Sequence, residues 1–137
     1  MNRVHTLIAS TLLAICGFGH AGELAIIGHA NVPKLDNDTL TRLYTGRIIQ
    51  LGNVSVIPLN LKPGHRLRGQ FLADLLNMDE DRYTAYWTVR RYIGKGAPPK
   101  ELDHSTDIIS LVQSTPGAIG YIDANELKPG MNLLLRR

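Results

Sequence analysis

Cysteine is almost missing from this chain. Among 137 residues there is one, Cys16, and it lies in an apolar leading stretch. Disulfides and thiol chemistry are therefore not expected beyond that stretch. Metal-ligand spacings are missing too: the later histidines, His29, His65 and His104, each stand alone. Ser55, Ser105, Ser110 and Ser114 occur in no nucleophile-elbow context. Asp79, Glu80 and Asp81, and the pair Asp103 and Asp107, read as helix-start carboxylates, not as a catalytic acid/base pair. Gly94-Lys95-Gly96 lacks the spacing and the Ser/Thr of a P-loop. The formal net charge of +3 is mild and its basic residues are scattered, which speaks against nucleic acid. These absences leave no expectation of an enzyme, a metal or a cofactor.

What is present begins with a leader. Met1-Asn2-Arg3 is a short basic start, Leu7 to Phe18 is apolar, and Gly19-His20-Ala21 offers small residues at the positions a signal peptidase reads. The expectation is a signal peptide over residues 1–21, cleavage after Ala21, and one domain over residues 22–137. The apolar run is too short to span a bilayer, and no later run is long enough. Localisation is expected to be periplasmic or secreted, with no membrane span after cleavage.

Along the domain, strands alternate with helices. Glu23 to Gly28 reads as a strand buried on both faces. A helix capped by Asp36 or Asp38 runs through Tyr44, with Leu40, Leu43 and Tyr44 inward and Gly46 ending it. Asp79 to Arg91 reads as a helix with acidic start and basic end, and Tyr83, Tyr86 and Trp87 form its core face. Gly94 to Pro99 is a loop. Ser105 is expected to cap a helix that Pro116-Gly117 stops. Ala118 to Ile122 is a strand whose small residues admit close packing, and Met131 to Leu135 is the last strand. The alternation predicts a layered α/β domain.

The most informative stretch is Val54 to Phe71. Val54 to Leu61 predicts a buried strand, Lys62-Pro63-Gly64 breaks it, and a helix opens at Gly64-His65 with Leu67, Phe71, Leu72, Leu75 and Leu76 on one face. No Ser, Thr, Asp or Asn immediately precedes that helix, so Gly64 is its expected cap. Its first N–H groups, with Arg66 or Arg68, could meet an anion.

Four segments, in order, resemble the substrate-binding proteins of phosphate ABC transporters. Leu40 to Arg47 is similar to their "L-x-x-I-F-x-G-K" helix. Val56 to Leu59 resembles the strand before their phosphate loop. Tyr86-Trp87 with Gly94-Lys95-Gly96 is similar to their "W…G-K-G" segment. Val112 to Ile122 is similar to their "V-x-x-T-P-G-A-I-G-Y-V" signature. The resemblance implies an α/β fold: a single lobe of a type 2 periplasmic-binding-protein-like fold, with a central mixed sheet flanked by helices. Full-sized members hold the anion between two lobes, and this chain corresponds to little more than one.

The resemblance also implies an exported, non-enzymatic module for a small, phosphate-like oxyanion, with a transporter or another protein as partner. The alternative is a protein-interaction module that keeps the lobe without the ligand. Counting from Pro58, the family's anion-binding arginine falls at Asn60 and its Ser-Gly-Thr at His65, Arg66 and Leu67. None of those side chains is kept. The expected ligand-binding set is therefore Asn60, Gly64, His65, Arg66 and Arg68, with Arg66 favoured as the residue nearer the helix start.

Overall fold

A computed structural model describes residues 22–137. The expected signal peptide, residues 1–21, lies outside the described residues. The elements run β1 (Leu24–Gly28), α1 (Asn37–Tyr44), β2 (Gln50–Leu51), β3 (Val54–Ser55), β4 (Ile57–Leu61), α2 (Arg66–Phe71), α3 (Glu80–Tyr92), β5 (Lys100–Leu102), α4 (Ser105–Ser114), β6 (Ala118–Asp123) and β7 (Asn132–Arg136). A π-helical turn, Leu72–Leu76, continues α2 and ends at Asn77, whose φ is +53°.

Five strands form one mixed sheet in the order β5-β4-β6-β1-β7. β4 is parallel to β5 and β6, whereas β1 is antiparallel to β6 and β7. All five residues of β1 are buried, as the apolar run without alternation requires of a strand covered on both faces. β6 follows the same logic: α4 packs on it where Gly120 leaves room, and a Cβ there would collide with the Ile108 side chain. On the α2 side, Phe71 stacks on Tyr121 at 4.0 Å between ring centroids, and Tyr44 meets Phe71 edge-on at 4.7 Å. Leu40, Leu43 and Tyr44 of α1 and Tyr83 and Trp87 of α3 complete the core, while Tyr86 is half-buried.

Several local expectations change. The strand read over Val54 to Leu61 is two strands, because the chain changes partner at Val56. The Val56 N–H donates to Ile49 O in the β2–β3 hairpin, and the Ile57 N–H donates to Gly117 O in the main sheet. Ser105 does not cap α4. His104 holds the cap position, its N–H donating to Asp107 Oδ2, and the Ser105 hydroxyl donates to Glu126 Oε1 instead. β5 is a short edge strand that composition did not signal. Asp36 caps α1 through Thr39 N, and Asp79 caps α3 through Arg82 N, each at 2.8 Å. Among the described residues no helix is long and apolar enough to cross a membrane.

Candidate functional site

The turn between β4 and α2 is built by Lys62, Pro63 and Gly64. The His65 N–H donates to Lys62 O at 3.1 Å, and Gly64 adopts φ +90°, a value that glycine reaches without strain. The space beside Gly64 is open. The cap of α2 is His65, not Gly64: its backbone is extended, and its Nδ1 accepts from the Leu67 N–H at 3.1 Å. One of the N–H groups expected to be free is therefore satisfied by a side chain that sequence rules do not rank among good caps.

The two arginines part company immediately. Arg66 reaches into solvent with 64% of its side chain exposed, and its Nη2 meets Asp123 Oδ2 at 3.2 Å. The Asp123 carboxyl is held below the ordinary aspartate value, first by the Asn125 N–H and then by Arg66. Lys62, on the same turn, pairs with Asp103 at 2.7 Å across an exposed surface. Arg68 turns inward, with only 5% of its side chain exposed. Its Nε and Nη2 grip the two oxygens of Glu80 at 2.8 and 2.7 Å, and its Nη1 donates to Leu61 O at 2.9 Å and Glu101 Oε2 at 2.5 Å. Burial opposes the Arg68 charge, but Glu80 and then Glu101 more than offset it, so its pKa stands above the ordinary value.

Asn60 is fully enclosed beneath this pair. Its Oδ1 accepts from the Tyr121 hydroxyl and from the Leu61 N–H, and its Nδ2 donates to the Tyr83 hydroxyl at 3.4 Å. The Tyr83 hydroxyl donates onward to Tyr44 O, which also accepts from Trp87 Nε1 at 3.3 Å, and the Tyr44 hydroxyl donates to Leu59 O. Burial raises the Tyr83 pKa to about 12 and pushes the Tyr44 and Tyr121 hydroxyls up as well, so all three stay protonated donors at neutral pH.

The five expected residues thus fall into two groups. Gly64, His65 and Arg66 share one solvent-facing turn. Asn60 and Arg68 share a buried network that holds the Leu61 peptide from both sides, Asn60 at its N–H and Arg68 at its carbonyl. Sequence reasoning missed Glu80 and Glu101 as the partners of Arg68, and Asp123 as the partner of Arg66. The register pairing Asn60 with Glu101 across β4 and β5 brings Glu101 close, a signal that needs β5 to be recognised first. Among the described residues no group of three or more His, Cys, Asp or Glu side chains is placed to hold a metal.

No protein-family model matches the chain, and no curated protein does. Solved structures do share its fold. A putative phosphate ABC transporter substrate-binding protein from Clostridium perfringens, with bound phosphate, superposes with a TM-score of 0.63 at 20% identity over 82% of this chain and 45% of its own. An ABC-type phosphate transport receptor from Vibrio cholerae gives 0.63 at 16% identity over 82% and 46%. The PstS protein from Borrelia burgdorferi gives 0.61 at 17% identity over 82% and 47%. The likeness is one of fold, and this chain spans less than half the length of each neighbour.

Proposed function

We propose that this chain is an exported, non-enzymatic binding module that takes a small, phosphate-like oxyanion at the turn opening α2. The observation that carries this reading is Arg66. Its guanidinium is largely exposed, belongs to the first residue of the helix that follows the open Gly64 turn, and is engaged by a single contact to Asp123. A guanidinium offers five donors in a fork suited to an oxyanion, so most of that capacity is available. Gly64 and His65 would border the anion through backbone, and the positive end of the helix would add attraction. Asn60 and Arg68 would act from beneath by fixing the Leu61 peptide from which the turn departs. The fold likeness to a structure holding phosphate adds support, and the leader expected over residues 1–21 accords with a place outside the cytoplasm, where a transporter would be a natural partner.

The affinity would be modest. Asp123 competes for Arg66, and His65 occupies the Leu67 N–H. Calorimetric titration and thermal unfolding of the purified protein with phosphate and sulfate test the reading. Bound anion raises the unfolding midpoint by mass action, and Arg66→Ala should weaken binding about tenfold to a hundredfold, as for one charge-assisted contact of roughly 1.5–3 kcal/mol. Absence of heat and of any midpoint shift at millimolar anion would overturn it.

A second reading has its own observation. Lys62, Arg66 and Arg68 all have carboxylate partners already. A lobe whose cations are internally matched is suited to protein contact without a ligand, and the negative outcome of the titration would favour it.

A further inference from the structure

A groove of about 180 Å³ lies between α3, β5 and the β4–α2 loop. Thr84, Trp87, Thr88 and Arg91 reach it from α3, Glu101 from β5, and Arg68 from α2. The helical residues fall on one stripe because they repeat at three- and four-residue intervals. The groove is smaller than the roughly 300–1,000 Å³ of sites for drug-sized ligands, which limits its occupant to a small metabolite.

Its charge is mixed and nearly balanced. Arg68 brings no surplus, being matched by Glu80 and Glu101. Glu101 gives only Oε2 to Arg68, and among the described residues its Oε1 has no hydrogen-bond partner and the Arg91 guanidinium has none either. The Thr84 hydroxyl donates to Glu80 Oε1 and the Thr88 hydroxyl to Thr84 O, so both present lone pairs as acceptors. Trp87 is fixed by its Nε1 bond to Tyr44 O and gives a rigid apolar side. An inorganic anion entering here would meet Glu101, and a simple amine would meet Arg91, each a like-charge penalty. A molecule carrying both charges meets a complement to each.

We propose that this groove binds a small zwitterion of the free α-amino-acid class. Its carboxylate rests on Arg91 and its ammonium on Glu101 Oε1 and the threonine hydroxyls. Its side chain lies against Pro63, Pro98 and Trp87. The site is separate from the α2 turn and does not depend on an oxyanion binding there.

Calorimetric titration of the purified protein with leucine, glutamine, glutamate and arginine tests the proposal, each beside its des-amino acid and its decarboxylated amine. The expected result is heat from at least one amino acid and a loss of about tenfold or more when either charge is removed. Arg91→Gln should weaken that amino acid by about tenfold. Glu101→Gln also disturbs Arg68, so Thr88→Leu is the cleaner second variant: it fills the groove, leaves every charge in place, and should abolish binding with the unfolding midpoint retained. Excess phosphate should leave the titration unchanged. The proposal is overturned by silence from the whole panel at millimolar concentration, by singly charged analogues that bind as well as the amino acid, by an unaffected Thr88→Leu, or by competition from phosphate.

Discussion

Arg66 and Arg68 stand two residues apart on one short helix and meet opposite surroundings. Two residues of an α-helix turn the side chain by about 200°, so one arginine looks outward and the other into the lobe. Arg66 keeps most of its donors for solvent and touches one carboxylate. Arg68 gives its donors to two carboxylates and a backbone carbonyl, and lies over the Tyr83 ring at 5.4 Å. The same side chain is a potential ligand contact in one place and a structural tie in the other. The difference lies in the partners that distant segments bring, Asp123 from β6 for one and Glu80 and Glu101 from α3 and β5 for the other.

The largest test of this contrast starts from the buried side. Trp87→Ala removes the aromatic whose Nε1 shares Tyr44 O with Tyr83, and should cost about 3–5 kcal/mol in urea unfolding, as for a large core aromatic. A loss below about 1 kcal/mol would show that the network is not anchored in the core. Arg68→Met should follow at about 3 kcal/mol, the low end for removing one partner of a buried pair, because Glu80 and Glu101 remain 37% and 40% exposed. An equal effect from Arg66→Ala would erase the distinction.

Gly120→Val probes the opposite face of the sheet, where the new side chain meets Ile108, and should cost roughly 1–3 kcal/mol by overpacking. Arg66→Ala should change stability by no more than about 0.5 kcal/mol, as for an exposed residue, while reducing anion affinity. The smallest effect concerns Asp123. Its folded pKa is lowered, so its contribution is present above the ordinary aspartate pKa and is lost as pH falls through the folded value. Acid unfolding followed by circular dichroism should show this small loss in the parent and not in Asp123→Asn. That variant also frees Arg66, and should bind sulfate a few-fold more tightly at neutral pH if the pair competes with the anion.

Much of the fold was legible in the sequence. The doubly buried β1, the inward faces of α1 and α3, the stop at Pro116-Gly117 and the close approach at Gly120 all follow from local pattern, and the structure contains each. Local pattern failed where a long-range contact decides. Val56 divides the stretch read as one strand because its own N–H pairs with Ile49 O at the β2–β3 hairpin while that of Ile57 pairs with Gly117 O just before β6. His65 and His104 take cap positions that residue preferences assign elsewhere. The candidate site was half legible: composition and the strand–turn–helix pattern point to Gly64, His65 and Arg66. Nothing near Asn60 or Arg68 announces that Tyr121, Glu80 and Glu101 will enclose them, because those partners lie between 12 and 61 positions away in sequence.

The placing of β1 between β6 and β7 bears on how the chain reaches this state. Leu24 exchanges backbone hydrogen bonds with Arg137 at 2.6 and 2.9 Å, and every other partner of β1 belongs to the last quarter of the sequence. The strand with five buried residues stands roughly a hundred residues ahead of its partners and cannot pair until they are present. Such non-local closure raises contact order and slows folding. Over that interval an unpaired apolar strand is open to association with other chains, so β1 is the segment most in need of a chaperone's cover.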